Sequence, residues 1–104
     1  WIIFQPHTYS RTKILMDDFA QSLTNFDNII VTDIYAAREK NTYDVSAKDI
    51  VTKIEELGRR AYYISDFNDI VEFVKRNVKP DDIILSQGAG TVSQIGHMLV
   101  EKEA

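Results

Sequence analysis

The first residues that could do chemistry lie at positions 5–12, which read Gln-Pro-His-Thr-Tyr-Ser-Arg-Thr. His7, Tyr9 and Arg11 alternate along this segment, so their side chains point to one side if the segment is extended. The guanidinium of arginine is a planar fork of donors that matches a carboxylate or a phosphate. One charge-assisted hydrogen bond of this kind contributes roughly 1.5–3 kcal/mol. The segment therefore predicts anion binding; the alternative is a solvated Arg11 in the first turn of a helix and a His7 that only bonds the backbone.

A second group lies at residues 86–90, which read Ser-Gln-Gly-Ala-Gly before an expected helix. Glycines let the main chain approach a ligand closely, and the start of a helix offers free N–H groups and a partial positive charge. The candidate binding residues here are Gln87, Gly88, Ala89 and Gly90. The alternative is a simple tight turn. The glycine spacing also approaches a dinucleotide fingerprint, but too little chain remains for the acidic ribose partner expected ~20 residues later.

Other polar residues carry weaker signals. Asp33 stands near the end of the second apolar run, where it could bind a metal or accept a phosphoryl group. We favour the interpretation that it caps a helix or orients a loop. His97 lies beside the apolar stripe of the last expected helix and is interpreted as structural or exposed. The sequence contains no cysteine, phosphate loop, HExxH or GxSxG motif, so we predict no catalytic residue and no metal ligand.

Two alternating patterns must position these residues. Short apolar runs predict strands at residues 1–4, 29–34, 61–64 and 83–85. Helical spacing of apolar residues predicts helices at residues 15–26, 47–57, 67–78 and from 92 to the C-terminus. Ser46 with Asp49 predicts a capping box, Gly58 the end of that helix, and Asp66 the cap of the next one.

The strands alternate with the helices and are continuously apolar, which is typical of a parallel sheet covered on both faces. We therefore predict an α/β fold with a three-layer, open and mainly parallel sheet, formed by residues 1–104 as a single domain. Ligands bind such sheets at the carboxyl ends of the strands. The chain opens directly in a strand without methionine, so we expect it to be a piece of a longer protein.

Composition excludes several classes of partner. The net charge of −4 predicts no binding to nucleic acid or to an anionic membrane surface. The absence of cysteine fits a reducing cytoplasm. No apolar run approaches the ~20 residues that a membrane-spanning helix needs.

Three stretches resemble motifs of the Mur ligases, and among them of the ligases that join L-alanine to UDP-N-acetylmuramate. Residues 4–12 resemble FQPHRYTRT, residues 33–39 resemble D-[VI]-Y-x-A-x-E, and residues 85–90 are similar to a loop with [TS]-Q-G-A-G. The stretches occur in the same order, and the similarity covers essentially the whole chain. Glu39 matches the last position of the second motif, but the sequence suggests no task for it.

The resemblance implies the Rossmann-like third domain of a cytoplasmic peptidoglycan ligase, truncated at its N-terminal side. In the full-length enzyme, ATP with Mg²⁺ phosphorylates the muramoyl carboxylate, and the amine of L-alanine then attacks the acyl phosphate. UDP-N-acetylmuramate, L-alanine and ATP are therefore the implied partners, reached through the missing domains. The fragment alone is expected to be inactive and to bind no cofactor, and its exposed strand edge favours self-association.

Site residues follow from the resemblance only at matching positions. His7 and Arg11 match the histidine and the second arginine of the first motif, which implies contact with the alanine carboxylate or the muramoyl group. Tyr9 would shape the loop, and residues 87–90 would line the same cleft with N–H groups. The family usually has arginine where this chain has Thr8, which leaves the role of that cation open.

Two other functions compete with this hypothesis. A receiver-like module would use Asp33, but no acidic pair follows the first strand. A nucleotide-binding module would use Gly88 and Gly90, but this pattern follows the last predicted strand rather than the first.

Overall fold

The computed structural model describes residues 1–88, within which three helices alternate with four strands. The strands are β1 (Ile2–Gln5), β2 (Ile29–Val31), β3 (Ala61–Tyr63) and β4 (Leu85–Gly88). The helices are α1 (Tyr9–Leu23), α2 (Ala47–Glu56) and α3 (Phe67–Asn77). None of these three helices is long and apolar enough to cross a membrane. The helix predicted from residue 92 and His97 lie outside the described residues.

The described strands form one sheet in the order β3-β2-β1-β4, and every pair in it is parallel. Ile2 and Phe4 on β1 belong to a core that includes residues of α1 and α2. Ile3 and Ile30 belong to a second core, on the opposite face, with residues of α3. Helices therefore cover both faces, and the predicted three-layer, open parallel α/β fold is confirmed.

The strand order also separates the competing functions. The order 3-2-1-4 is that of dinucleotide-binding folds, whereas receiver-like folds have the order 2-1-3-4-5. The order found here disfavours the receiver-like module. The loop after β1, where a dinucleotide fingerprint would lie, consists of Pro6, His7 and Thr8 and contains no glycine, which disfavours the nucleotide-binding module.

The ends of α2 and α3 confirm the predicted caps. The hydroxyl of Ser46 accepts from the N–H of Lys48 at 3.2 Å, and the carboxylate of Asp49 accepts from the N–H of Ser46 at 2.9 Å. Gly58, directly after the C-terminal turn of α2, has a φ of 88°, the left-handed conformation that glycine adopts without strain. Asp66 accepts hydrogen bonds from two N–H groups in the first turn of α3.

The predicted start of α1 near residue 15 is wrong, because the helix begins at Tyr9. The buried residue of its first turn is Thr12, which is 0% exposed, and its hydroxyl donates to the carbonyl of Thr8 at 2.6 Å. A polar residue in a core position interrupts the apolar spacing. The pattern therefore reports the helix only from Leu15 onward.

Two strand boundaries are also corrected. The last strand spans Leu85–Gly88 rather than residues 83–85, so residues 86–88 continue a strand where a loop was predicted. They pair with β1 through the main chain at the edge of the described sheet and are exposed, so they carry no apolar pattern. β2 ends at Val31 rather than at residue 34, although the N–H of Thr32 still donates to the carbonyl of Phe4 on β1 at 3.0 Å.

The buried position of Ile54 on α2 predicts a large loss of stability when its side chain is shortened. Ile54→Ala should destabilise the chain by about 2–5 kcal/mol, because the side chain is fully buried and leaves a cavity. Ile14→Ala is the matched control on α1, where the side chain is 77% exposed, and should change stability by less than about 0.5 kcal/mol. Urea unfolding followed by circular dichroism measures both, and equal losses would contradict this packing.

Candidate functional site

The candidate site lies where β1 and β4 end side by side. The chain runs outward from β1 through β2 to β3 and then returns through α3 to place β4 on the other side of β1. Such a reversal is a topological switch point, where open α/β sheets bind ligands at the carboxyl ends of the strands. Gln5 pairs with Gly88, so the two segments singled out from the sequence meet there. Gln87 and Gly88 end β4, whereas Ala89 and Gly90 lie outside the described residues.

Gly88 marks a close approach between the two strands. Its φ is 145°, and a Cβ at this position would overlap the main-chain oxygen of Gln5. The side chain of Gln5 is 6% exposed, and its Nε2 donates to the main-chain oxygen of Asp33 at 3.1 Å. Its Oε1 is buried and accepts no hydrogen bond from the described residues. Glycine at position 88 is therefore required by the main chain beside it rather than by a turn.

The loop between β1 and α1 is braced by the segment that follows β2. The N–H of Thr8 donates to the carbonyl of Tyr35, and the N–H of Tyr35 donates to the carbonyl of Pro6, both at 2.8 Å. The rings of His7 and Tyr35 stack, with centroids 5.8 Å and planes 23° apart. These contacts hold His7, only partly buried, at the carboxyl edge of the sheet.

Tyr9 and Arg11 lie in the first turn of α1, so the segment is not extended and the two side chains do not share one side with His7. Two residues apart on a helix, their side chains point about 200° apart. The alternative position of Arg11, exposed in the first turn of a helix, is the one found. Tyr9 lines a cleft of about 400 Å³ that Asp33 also borders. Arg11 is exposed and lines a different cleft, of about 420 Å³, beside Ile14. Of the two, only Arg11 brings a charge that an external anion could meet.

Thr8 caps α1 in a backbone conformation that side chains rarely adopt. Its φ of 63° and ψ of 150° fall in a region occupied almost only by glycine. Its hydroxyl accepts from the N–H of Arg11 at 3.3 Å, and its carbonyl accepts from the N–H of Thr12 at 3.2 Å. A hydroxyl oxygen at this position is what a helix cap requires. The residue that replaces the family's usual arginine therefore acts here as the cap of α1.

A carboxylate from the segment after β2 accepts hydrogen bonds from the first turn of α1. Glu39 accepts from the N–H of Ser10 with Oε1 and from the Ser10 hydroxyl with Oε2, each at 2.7 Å. The hydroxyl contact, followed by the N–H contact, holds the pKa of Glu39 below its ordinary value, and the charge of His7 adds a smaller effect. This contact gives Glu39 the task that the sequence left open. The partners are 29 residues apart, so no local pattern could reveal it.

Asp33 is bound by residues at the end of β3 and just after it. Its carboxylate accepts hydrogen bonds from the hydroxyls of Tyr63 and Ser65, neither of which was among the predicted binding residues. The hydrogen bond that the hydroxyl of Tyr63 donates to Asp33 raises the pKa of Tyr63, and burial adds to the rise. Residues 1–88 contain no group of three or more His, Cys, Asp or Glu side chains that could hold a metal ion. These contacts support the interpretation that Asp33 orients loops at the sheet edge.

Comparisons with known proteins show which family the chain resembles. The family model described as Mur ligase, glutamate ligase domain, matches residues 1–90. The UDP-N-acetylmuramate–L-alanine ligase of Acetivibrio thermocellus is 46% identical over 101 residues, which are 97% of this chain and 22% of that protein. The corresponding ligase of Caldanaerobacter subterraneus subsp. tengcongensis is 52% identical over 100 residues, again 22% of its length. This chain thus spans about a fifth of the length of these relatives.

A solved structure shows the same fold. The crystal structure of the UDP-N-acetylmuramate–alanine ligase of Thermotoga maritima matches with a TM-score of 0.74 and 24% sequence identity. The match covers 98% of this chain and 19% of that one. The parallel α/β architecture therefore matches that of one portion of the Thermotoga maritima ligase.

The close approach at Gly88 predicts an unequal response to alanine at two glycines. Gly88→Ala and Gly58→Ala both place a side chain at a positive φ that residues other than glycine rarely adopt, which costs about 1–3 kcal/mol. Only at Gly88 does the new methyl group also meet the main chain, whereas Gly58 has no neighbour within 4 Å. We expect the larger loss of unfolding free energy for Gly88→Ala in urea titrations. Equal losses would contradict the close approach.

The contact between Ser10 and Glu39 predicts a change in titration. Ser10→Ala removes the hydroxyl donor and keeps the N–H donor, so the pKa of Glu39 should rise toward its ordinary value of 4.5. Carbon-detected NMR of the carboxyl group measures this pKa. Ser22→Ala, an exposed serine on the same helix, should leave it unchanged.

The same contact gives the sign of a pH dependence. The pKa of Glu39 is lower in the folded state, so its stabilising contribution is complete above the unfolded-state pKa. It is lost as the pH falls through the folded-state value. Ser10→Ala should reduce the loss of unfolding free energy that occurs at acid pH. The same loss in the variant and the wild type would contradict the contact.

Proposed function

The chain belongs to the Mur ligase family, and from that membership we propose that it is the C-terminal, amino-acid-binding domain of a longer ligase that joins L-alanine to UDP-N-acetylmuramate. Relatives that carry this activity in their names are 46% and 52% identical to nearly the whole chain. Because the chain spans about a fifth of their length, we assign it the role of one domain, formed by residues 1–104.

The observation that carries the proposal is the pairing of Gln5 with Gly88 at the switch point of the sheet. It sets the β1–α1 loop, with His7 and the first turn that bears Arg11, beside the end of β4. In the proposed reaction, the amine of L-alanine attacks a muramoyl phosphate and expels phosphate. Arg11 and His7 would hold the alanine carboxylate or the muramoyl part during this attack, and residues 87–90 would approach the substrate from the neighbouring end of β4.

The domain would also act by closing over the reaction. A site at the carboxyl edge of a sheet opens outward, so another domain can present the muramoyl phosphate to it. Closure excludes water, which protects an acyl phosphate from hydrolysis. This role requires that Arg11 meet the substrate in the closed state.

We propose that ATP and Mg²⁺ bind to other domains of the longer enzyme. We also propose that this enzyme acts in the cytoplasm. Residues 1–88 hold no cluster of side chains that fits a metal ion, and the sequence contains no phosphate loop. The chain alone is therefore expected to lack ligase activity. Self-association through an exposed strand edge also stays a prediction.

Arg11 provides the test in the full-length ligase. Arg11→Ala should raise the KM for L-alanine or lower kcat by at least about tenfold, because a charge-assisted hydrogen bond is lost. Lys13→Ala, which removes an exposed cation from the same helix, should stay within about twofold of the wild type. Steady-state kinetics measure both, and wild-type values for Arg11→Ala would refute the role of Arg11.

A further inference from the structure

We propose that Glu39 is a positioning residue for substrate binding, which acts through Ser10 on the turn that presents Arg11. The inference rests on the proposed function, which assigns the substrate anion to Arg11 and His7. Glu39 itself contacts the chain rather than the substrate. Its role is to fix the turn of backbone from which Arg11 projects.

The contact is made to both donors of one residue. The two carboxylate oxygens of Glu39 take the N–H and the hydroxyl of Ser10, each at 2.7 Å. Hydrogen bonds to a charged acceptor are about twice as strong as neutral ones. With its main chain and side chain both bound, Ser10 cannot rotate without breaking one of these bonds. Arg11 is the next residue of the helix and follows the orientation of this turn.

The segment that carries Glu39 folds back to reach Ser10. The N–H of Glu39 donates to the carbonyl of Ala36 at 2.9 Å. Between them, Ala37 and Arg38 have φ values of 51° and 71°. Two successive residues other than glycine in the left-handed region are unfavourable, so contacts outside the turn must stabilise it. The pair of hydrogen bonds to Ser10 is such a contact.

The segment braces the loop at a second point as well. Tyr35 bonds the main chain on both sides of His7, through Pro6 and Thr8, and stacks on its ring. Loss of Glu39 would therefore free the turn of Arg11 while Tyr35 still holds His7. A selective loss of the binding that depends on Arg11 is the expected consequence.

Glu39 also decides where an anion can bind. The N-terminus of a helix is favourable for a negative charge, and at α1 the carboxylate of Glu39 already occupies it. A substrate carboxylate is thereby directed away from the N–H groups of the first turn. The exposed guanidinium of Arg11 stays available to it.

Kinetics of the full-length ligase test the proposal. Glu39→Ala should raise the KM for L-alanine about tenfold, with kcat and the KM for ATP changed by less than about threefold. Glu39→Gln keeps an acceptor for the N–H of Ser10, and its amide can donate to the hydroxyl, so its KM should stay within about threefold of the wild type. Glu55→Ala removes an exposed carboxylate from α2 and serves as the control with wild-type kinetics.

A double-mutant cycle separates this contact from general destabilisation. Ser10→Ala loses one of the two bonds and should raise the KM for L-alanine about threefold. Because both residues act through one contact, Ser10→Ala combined with Glu39→Ala should match Glu39→Ala alone. Effects that multiply would overturn the proposal. A Glu39→Gln variant as impaired as Glu39→Ala would also overturn it, since charge rather than geometry would then be responsible.

The variants distinguish failure of this inference from failure of the proposed function. An unchanged KM in Glu39→Ala, with a raised KM in Arg11→Ala, overturns the positioning role and leaves the proposed function intact. Unchanged kinetics in both variants refute the assignment of Arg11 as well. If circular dichroism shows that Glu39→Ala is unfolded, Ser10→Ala decides, and a wild-type KM there overturns the positioning role.

Discussion

The candidate site depends on the parallel pairing of β1 with β4, which joins the two ends of the described chain. All four residues of β4 are exposed, so burial of apolar side chains, which stabilises β1 and β2, contributes little to this pairing. Main-chain hydrogen bonds hold it, beginning with the N–H of Leu85 to the carbonyl of Trp1 at 2.9 Å. At the start of the strand, Asp82 accepts from the N–H of Lys79 at 2.9 Å and from the indole of Trp1 at 3.2 Å, which lowers the pKa of Asp82. At its end, glycine at position 88 lets the two backbones meet.

Most of the fold could be predicted from the sequence, because local signals and burial agree in α2 and α3. In α2 an apolar stripe, the cap at Ser46 and the left-handed Gly58 all indicate one helix. The exceptions are elements whose ends depend on distant contacts. α1 buries only Thr12, Ala20 and Leu23, which is too sparse for a helical period to show in its first turn. β4 has no buried face, and an exposed edge strand looks like a loop in the sequence.

The sequence indicated candidate residues for the site, and it did not indicate how they are arranged. Residue type and the resemblance to a family indicated His7 and Arg11, and the rule for parallel sheets indicated that both ends of the chain meet. The contact of Ser10 with Glu39 and that of Asp33 with Tyr63 join residues about 30 positions apart, and no periodicity reports such pairs. The sequence also gives no apolar spacing before Leu15, so it did not indicate that a helix begins at Tyr9 and separates the side chains of Tyr9 and Arg11.

The backbone of the β1–α1 loop is held by several contacts, whereas the side chain of Arg11 is not, and this difference bears on the proposed use of the site. The β1–α1 loop is bonded to the segment after β2 at Tyr35 and at Glu39, so its backbone is fixed before any substrate arrives. Preorganisation of this kind reduces the entropy lost on binding. Arg11, by contrast, is a long exposed side chain that keeps about 2 kcal/mol of rotamer entropy until it is paired. A fixed backbone that carries an exposed cation is compatible with the proposed role, in which Arg11 contacts an anion only when another domain delivers the substrate.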